Sequence, residues 1–365
     1  MEEELGTDPR TAAAGELAAR FMEVNLGESL PEGMFMFEGR IKPPEKENAE
    51  RFLMEASRQG FYLHIARKEE GLVRAILLPR PGAKKSRYWI NITLFILTLL
   101  TTLAVGAIYE QVGLGELLRQ PWLLWKGLPF SLSIMGILLI HEMGHYLASR
   151  LHGVEATLPY FIPFPTIIGT MGAVIRIKSP IPTRKALIDI GAAGPIAGLV
   201  AALPLTFIGL KLSSFVPRAG MEGALVLGDS LLFRLMSFIA MGNPPAGHDV
   251  ILHPIAFAGW IGFFVTALNL IPVGQLDGGH VAYALMGRWH KPFAWVFWAV
   301  LLVAGIFWPG WWWWALLILI FGIKHPPTLV DTIALDARRI AIGWLCFLLF
   351  ILTMTPVPFS LTLPK

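Results

Sequence analysis

The sequence predicts a polytopic α-helical membrane protein with a small N-terminal α+β soluble domain and a non-helical, β-forming segment at the membrane. Of its 365 residues, 55% are hydrophobic and only 15% are charged, whereas soluble domains carry about 25% charged residues. Several apolar runs approach the roughly 20 residues that span a bilayer as a helix. The first 82 residues lack such a run, and prolines and glycines interrupt the apolar residues 154–185.

Residues 1–82 are predicted to form the soluble domain, with a regulatory role as one option. Apolar spacing and alternation predict its elements, which are a helix over 13–24, a strand over 34–41, a helix over 45–59 and strands over 61–68 and 71–79. Residues 83–87 follow as a basic linker, which suits a membrane surface. The acidic N-terminus has no apolar core of a signal peptide, and it does not resemble a transit peptide.

The remaining chain is predicted to hold about six to eight membrane segments, by the length that a bilayer requires. We divide it into a core at 88–330 and a C-terminal transmembrane helix and tail at 331–365. The predicted spans are 88–109, 130–151, 186–210, 253–273, a short tilted pair at 293–308 and 311–323, and 340–354, with an interfacial helix at 225–241. Residues 154–185 are predicted to form short strands or a re-entrant loop, because prolines remove backbone donors.

The distribution of basic residues predicts the orientation. From Lys84 onward, thirteen Lys and Arg residues fall on the side of the N-terminal domain and six on the opposite side. The positive-inside rule therefore places the N-terminal domain in the cytoplasm. The second and fourth spans then both run toward the cytoplasm, so the polar residues at their ends lie at one membrane depth.

The second span carries the sequence HEMGH at residues 141–145. His141 and His145 lie one turn apart on one side of a helix, where both imidazoles can reach one zinc ion, and Glu142 on the neighbouring flank can act as a general base. Alternatively, these residues could be buried polar groups that satisfy one another. Ionisable groups inside a span cost several kcal/mol and are usually functional, which favours one catalytic zinc per chain.

Asp277, in GQLDGGH after the fourth span, is the predicted third metal ligand, because a catalytic zinc commonly has three protein ligands. The alternative is that it caps the next helix. His152 and His280 are weaker ligand candidates that could instead form hydrogen bonds. Asn269 could orient substrate or donate to a developing oxyanion, and a helix–helix hydrogen bond is an equal alternative.

These residues together resemble the site-2 protease family of intramembrane zinc metalloproteases. HEMGH matches the family's HExxH, NLIPVGQLDG at 269–278 matches its NxxPxxxLDG, and residues 169–198 are similar to its plant chloroplast branch and prokaryotic relatives. The resemblance implies zinc ligands at His141, His145 and Asp277 and the catalytic glutamate at Glu142. It extends over roughly residues 85–330 and includes neither the PDZ nor the CBS domains of other branches.

What the resemblance implies is regulated intramembrane proteolysis, the hydrolysis of peptide bonds in or near transmembrane segments of membrane protein substrates. Gly169 and Gly172 lie in the segment that would pair with an unwound substrate as an added strand. The implied location is the bilayer, here a prokaryotic cytoplasmic membrane, with the active site opening to the cytoplasm. The net charge of +4 does not suggest nucleic-acid binding, and the sequence is compatible with a homo-oligomer.

Two other classes of function are alternatives to the hypothesis of intramembrane proteolysis. A membrane-embedded zinc-binding protein or transporter would lack proteolytic activity, but transporters tend to show paired repeats, and such repeats are not evident here. A pseudoprotease that only binds membrane segments would not need the intact HExxH and aspartate.

Overall fold

The computed structural model describes residues 9–68, 71–82, 87–217 and 225–361. The helices in these residues are α1 (Pro9–Phe21), α2 (Glu45–Arg58), α3 (Tyr88–Tyr109), α4 (Leu114–Arg119), α5 (Leu128–Leu151), α6 (Arg184–Lys211), α7 (Leu231–Met241), α8 (Pro254–Asn269), α9 (Asp277–Met286), α10 (His290–Ala304), α11 (Gly310–Phe321) and α12 (Ala337–Thr353). The strands are β1 (Met22–Leu30), β2 (Met34–Ile41), β3 (Phe61–Arg67), β4 (Val73–Pro79), β5 (Tyr160–Pro163), β6 (Thr170–Val174), β7 (Ser214–Pro217), β8 (Leu225–Leu227), β9 (His248–Ile251) and β10 (Phe359–Leu361).

The chain divides into two compact units. The first consists of the described residues of the ranges 1–85, 179–188 and 326–340. The second consists of the described residues of the ranges 86–178, 189–325 and 341–365.

The first unit is built on an antiparallel sheet with the strand order β1-β2-β4-β3. Helices α1 and α2 supply apolar side chains to its core, in which Phe37 and Phe52 are fully buried. The chain segment near residue 330 continues the sheet beyond β3, because the backbone N–H of Ile65 donates to the carbonyl of Leu329 at 2.9 Å. Val330 is itself buried in this core.

The predicted elements of this unit agree with β2, α2, β3 and β4 to within two residues at each end. The predicted helix over 13–24 is wrong at its C-terminal end, because Met22 begins the edge strand β1. That strand carries few apolar residues and a register shift between Val24 and Leu26, so strict alternation does not reveal it. The turn at 69–70 and most of the linker over 83–87 lie outside the described residues.

Three helical stretches in the described part of the chain are long and apolar enough to cross a membrane: Tyr88–Tyr109, Pro121–Leu151 and Arg184–Lys211. The chain is therefore an integral membrane protein. The predicted span over 253–273 corresponds to a shorter apolar helix, α8, which ends at Asn269 because the backbone then turns toward α9.

The predicted non-helical segment forms an antiparallel hairpin of β5 and β6. Side chains of α3 hold its backbone through a set of hydrogen bonds. These are from Asn91 Nδ2 to the carbonyls of Leu158 and Pro159 (both 2.9 Å), from Thr101 Oγ1 to Gly169 (2.7 Å) and from Tyr109 Oη to Ile167 (2.6 Å). The hairpin backbone thus finds partners on α3, as backbone at membrane depth requires.

The predicted helix over 225–241 is wrong at its start. Residues 225–227 form β8, which pairs with β10, and α7 begins only at Leu231. Its start is fixed by Ser230, whose hydroxyl oxygen accepts a hydrogen bond from the backbone N–H of Phe233 at 3.1 Å. This is the usual N-cap interaction of serine.

Candidate metal centre

Helix α5 carries His141, Glu142 and His145 into the interior of the second unit. All three are buried, with 4, 5 and 6% of their surfaces exposed. The two imidazoles lie on one side of the helix because residues four apart are separated by about one turn. Nε2 of His141 lies 3.2 Å from Nε2 of His145.

Asp277 is the first residue of α9, and its carboxylate faces the two imidazoles. Its Oδ2 lies 3.2 Å from Nε2 of His145 and 3.4 Å from Nε2 of His141. The N-cap of α9 is Leu276, which makes no side-chain cap. The carboxylate of Asp277 is therefore directed at the histidines and does not serve as the helix cap that we considered as an alternative.

The spacing of these three atoms suits one zinc ion. In a tetrahedral site with bonds of about 2.0–2.1 Å, ligand atoms lie roughly 3.3 Å apart. The observed separations of 3.2, 3.2 and 3.4 Å are close to that value. Two imidazoles and one carboxylate are also a common donor set for zinc with an open position, so the residues present fit a catalytic metal.

A backbone carbonyl on α6 orients one of the imidazoles. Nδ1 of His145 lies 2.7 Å from the carbonyl oxygen of Ile190. A carbonyl can only accept, so Nδ1 carries the hydrogen and Nε2 keeps its lone pair free. Such second contacts fix the tautomer of a metal-binding histidine.

Glycines of α6 allow its backbone to approach the centre. A Cβ built on Gly194 would lie 2.0 Å from Nε2 of His145, and one on Gly198 would lie 2.9 Å from Nδ1 of His141. A Cβ on Gly191 would lie 2.8 Å from Cβ of His280. We call Gly191, Gly194 and Gly198 the glycine cradle. The sequence predicted only close helix packing here, and its signal was the small-residue run GAAGPIAG.

Glu142 directly follows His141 in α5 and does not belong to the group of side chains that could hold a metal ion, which are His141, His145 and Asp277. Its carboxylate lies near the backbone of Ile175, which directly follows β6. The end of the hairpin thus reaches the predicted general base.

The structure also brings Asn269 to the centre, where its Nδ2 lies 3.2 Å from Nε2 of His141. Gly169 and Gly172, the predicted substrate-binding residues, lie in the hairpin with φ of +79° and +103°. The carbonyl of Gly169 accepts hydrogen bonds from Thr101 of α3 and from the backbone N–H of Phe164, and its own N–H donates to the carbonyl of Thr166. The backbone N–H and carbonyl of Gly172 both bond the hydroxyl of Thr170 in β6.

The two weaker ligand candidates make hydrogen bonds to other residues. Nε2 of His152 lies 2.8 Å from Oδ2 of Asp189. Nδ1 of His280 lies 2.6 Å from Nε2 of His325. His325 was not singled out from the sequence, where the only signal was a histidine just after an apolar helix.

Comparison with known proteins gives an independent view of this region. Residues 129–307, which include His141, His145 and Asp277, match peptidase family M50. The chain is 38% identical over 165 residues to "Probable zinc metalloprotease EGY1, chloroplastic" of Arabidopsis thaliana, which covers 44% of this chain and 30% of that protein. It is 32% identical over 260 residues to "Probable zinc metalloprotease EGY2, chloroplastic" of the same plant, and the aligned region covers 66% of this chain and 44% of that protein.

A third relative, "Probable zinc metalloprotease EGY3, chloroplastic" of Oryza sativa subsp. indica, is 32% identical over 179 residues, or 44% of this chain and 30% of that protein. The chain thus spans less than half the length of each of these relatives. No solved structure matches it significantly.

Proposed function

The chain belongs to peptidase family M50, the site-2 protease family, through residues 129–307, and on that premise we propose that it is an intramembrane zinc metalloprotease. It hydrolyses peptide bonds in or near transmembrane segments of membrane protein substrates. The observation that carries this proposal is the group of His141, His145 and Asp277, whose ligand atoms all lie within 4.8 Å of one another. Glu142 lies between the two histidines of this group on α5.

Each residue has a defined part in this hydrolysis. His141, His145 and Asp277 hold the zinc, which when bound supplies a Lewis acid that polarises a peptide carbonyl and activates water. Glu142 accepts the proton of the attacking water and delivers it to the departing amine, as a general base and then a general acid. Asn269 presents an amide donor at the ligand face of His141, where it can stabilise the oxyanion that develops on the carbonyl.

The position of the centre supports a substrate within the bilayer. Buried side chains of α5, a helix long and apolar enough to cross a membrane, carry the catalytic groups. A transmembrane substrate hides its carbonyls in helical hydrogen bonds, so it must unwind before water attacks. The hairpin of β5 and β6 offers a strand edge to the unwound chain, with Gly169 and Gly172 as its substrate-contacting positions.

The proposal extends to topology and location. We place about six to eight segments in the membrane, by the length criterion for spanning helices, and we place the N-terminal domain and the active-site opening in the cytoplasm of a prokaryotic cell. The N-terminal domain is the candidate for regulation. A homo-oligomer remains compatible with this arrangement.

The test begins with zinc and then measures cleavage. The full chain is purified in detergent, and its zinc content is compared with those of His145→Ala and Asp277→Ala. We expect about one zinc per chain, as in catalytic sites of this kind, and its loss in both variants. Zinc that neither substitution affects would refute the assigned site.

Cleavage is then followed in phosphatidylcholine vesicles that contain a single-span peptide with a central Asn-Pro pair and a fluorophore at each end. Glu142→Gln should keep its zinc and lose at least about 10²-fold in rate, the contribution typical of general acid–base catalysis. Equal rates for this variant and the wild type would exclude Glu142 as the base. A wild-type protein that binds zinc but cleaves nothing would favour the transporter or zinc-binding alternative.

A further inference from the structure

The position of Asp277 depends on how the first turn of α9 is held. Asp277 is the first residue of this helix, and its side chain is directed at the histidines without a cap interaction. The loop before it is short, since α8 ends at Asn269. The first turn packs closely on this loop, because a Cβ on Gly278 would lie 2.0 Å from the carbonyl oxygen of Leu270 and one on Gly279 would lie 2.4 Å from that of Gly274. Contacts that hold the loop therefore also hold the turn that carries Asp277.

The segment Gly322–His325, which follows α11, contacts the chain on both sides of Asp277. On the N-terminal side, the backbone N–H of Gly274 donates to the carbonyl of Ile323 at 3.1 Å. The approach is close, because a Cβ on Gly274 would lie 2.5 Å from the carbonyl oxygen of Gly322. Gly274 also has a φ of +61°, so the close contact and the turn both favour glycine.

On the C-terminal side, His325 contacts two successive turns of α9. Its Nε2 lies 2.6 Å from Nδ1 of His280. Its ring stacks on that of Tyr283, with centroids 4.6 Å apart and an angle of 21° between the planes. His280 lies three residues after Asp277, so it sits about one turn further along the same helix.

The contact between the two imidazoles is specific in its chemistry. Two ring nitrogens 2.6 Å apart must share one hydrogen, so one ring donates and the other accepts. An apolar side chain at residue 325 could preserve the stacking on Tyr283 but not this bond. The backbone of α6 closes the opposite side of His280, because Gly191 leaves no room there for a side chain.

We propose that His325 is a positioning residue for the metal ligand Asp277, acting through its hydrogen bond to His280. This inference rests on the proposed function, because it takes Asp277 as a zinc ligand. We call the pair the His280–His325 clamp. Residues that orient metal ligands typically contribute about 10–100-fold to metal affinity or activity, although here the contact acts through the helix and not on the ligand itself.

The experiment measures the rate at which the full-length, zinc-loaded protein in detergent releases zinc to a chromogenic chelator. Two variants at one position separate the hydrogen bond from packing. His325→Phe keeps the ring that stacks on Tyr283 but removes the nitrogen, and His325→Gln offers an amide where Nε2 stood. His248→Phe is the control, because His248 begins β9 and its Nδ1 contacts the nearby carbonyl of Ala246, in the loop just before that strand.

We expect His325→Phe to release zinc about tenfold faster than the wild type, and His325→Gln and the control to stay within about twofold of it. In the vesicle cleavage assay, kcat of His325→Phe should fall while KM is unchanged, since Asp277 holds the metal and not the substrate. Rescue by glutamine is the result that a merely structural role of the ring would not produce.

Other outcomes overturn the inference. Zinc release from His325→Phe at the wild-type rate would show that the clamp does not act on Asp277. Equally fast release from the phenylalanine and glutamine variants would show that the nitrogen at residue 325 is irrelevant. If His325→Phe does not fold, His280→Asn takes its place, since its Nδ2 can replace Nδ1 of histidine, and zinc release tenfold faster from this variant would also refute the clamp. Wild-type protein without zinc would instead refute the proposed function itself.

Discussion

Gly194 lies so close to the ring of His145 that a Cβ at residue 194 would be 2.0 Å from Nε2, the atom that faces Asp277. Backbone and imidazole therefore occupy all the space between α5 and α6 at this level. Helix α6 carries none of the proposed metal ligands, but it shapes the candidate metal centre through the glycine cradle and through the carbonyl of Ile190.

Gly194→Ala should strongly reduce zinc binding while leaving the helices intact. The added methyl group would displace the ring of His145. This ring is held at Nδ1 by the carbonyl of Ile190 and faces Asp277 through Nε2, so a displaced ring loses both contacts. We expect zinc content to fall at least tenfold, as when a residue that orients a ligand is lost. Gly136→Ala on α5 is the matched control, since a Cβ there has no neighbour within 4 Å.

The zinc content of both variants, measured after purification by size exclusion, checks this prediction. Gly198→Ala should show a smaller loss, because the nearest atom to its Cβ is 2.9 Å away. Full zinc occupancy in Gly194→Ala would mean that the ring can shift without cost.

Asn269→Leu should lower turnover without releasing the metal. The substitution keeps the approximate size of the side chain but removes the amide that lies 3.2 Å from Nε2 of His141. If this amide donates to the developing oxyanion, kcat should fall by about 10²-fold. Thr266→Val controls for loss of a polar group from α8, because the Thr266 hydroxyl bonds only the preceding turn of its own helix, at Gly262.

Both variants are compared in zinc content and in the vesicle cleavage assay. Unchanged turnover in Asn269→Leu would mean that the amide serves helix packing, which is the alternative role considered for Asn269 in the sequence analysis. A loss of zinc from Asn269→Leu would instead make it a support for His141.

Gly169→Ala should impair cleavage and leave zinc in place. Its φ of +79° is strained for alanine, and the new Cβ would lie 2.9 Å from the carbonyl oxygen of Thr101. The hairpin should then separate from α3 at this point and lose its alignment for pairing with substrate. We expect KM to rise and zinc content to be unchanged.

Gly172→Ala is the informative comparison. Its φ of +103° is also unfavourable for alanine, but its Cβ would meet nothing within 4 Å. A larger loss of cleavage in Gly169→Ala than in Gly172→Ala would show that the contact with α3 matters, because backbone strain alone affects both variants. Wild-type cleavage in both variants would argue against substrate binding by the hairpin.

Acid should weaken the first unit through Glu38. Hydrogen bonds from Lys68 and Arg74 hold the pKa of this carboxyl below its usual value of 4.5, with Nζ of Lys68 at 2.6 Å and Nη2 of Arg74 at 2.7 Å. A depressed native pKa gives stability that is present above pH 4.5 and is lost as the pH falls through the lower native value.

Thermal melting of the full chain and of Glu38→Gln checks this prediction. The variant should melt at a lower temperature at pH 7, and the difference should vanish as the pH falls below the native pKa. The exposed Glu28→Gln in β1 should show little difference at either pH. A constant difference between Glu38→Gln and the wild type down to pH 2 would contradict the assignment.

Local geometry explains which parts of the site the sequence predicted. His141 and His145 follow from helical spacing alone, since any helix places residues four apart on one side. The prediction of Asp277 required a further step, namely that the second and fourth predicted spans run in the same direction and end at the same depth in the membrane. That step was available because basic residues are unevenly distributed along the chain.

Packing between distant segments explains what the sequence did not predict. His325 lies 45 residues after His280, and its role depends on where α11 ends. The carbonyl of Ile190 carries no side-chain signal, and a glycine run indicates close approach but not which atoms approach. In the first unit, β1 escaped prediction because an edge strand exposed on one side need not be strongly apolar.

The sheet of the first unit also restricts how this protein can be shortened. Its outermost backbone partner is Leu329, and Val330 and Ile333 are buried among its side chains. Deletion of residues 1–82 would leave the side chains of Val330 and Ile333 uncovered. The backbone near residue 330 would also lose β3, the strand that it neighbours. Such an edge invites pairing with other chains. Function of the N-terminal segment is therefore better probed by point substitutions on its surface than by deletion.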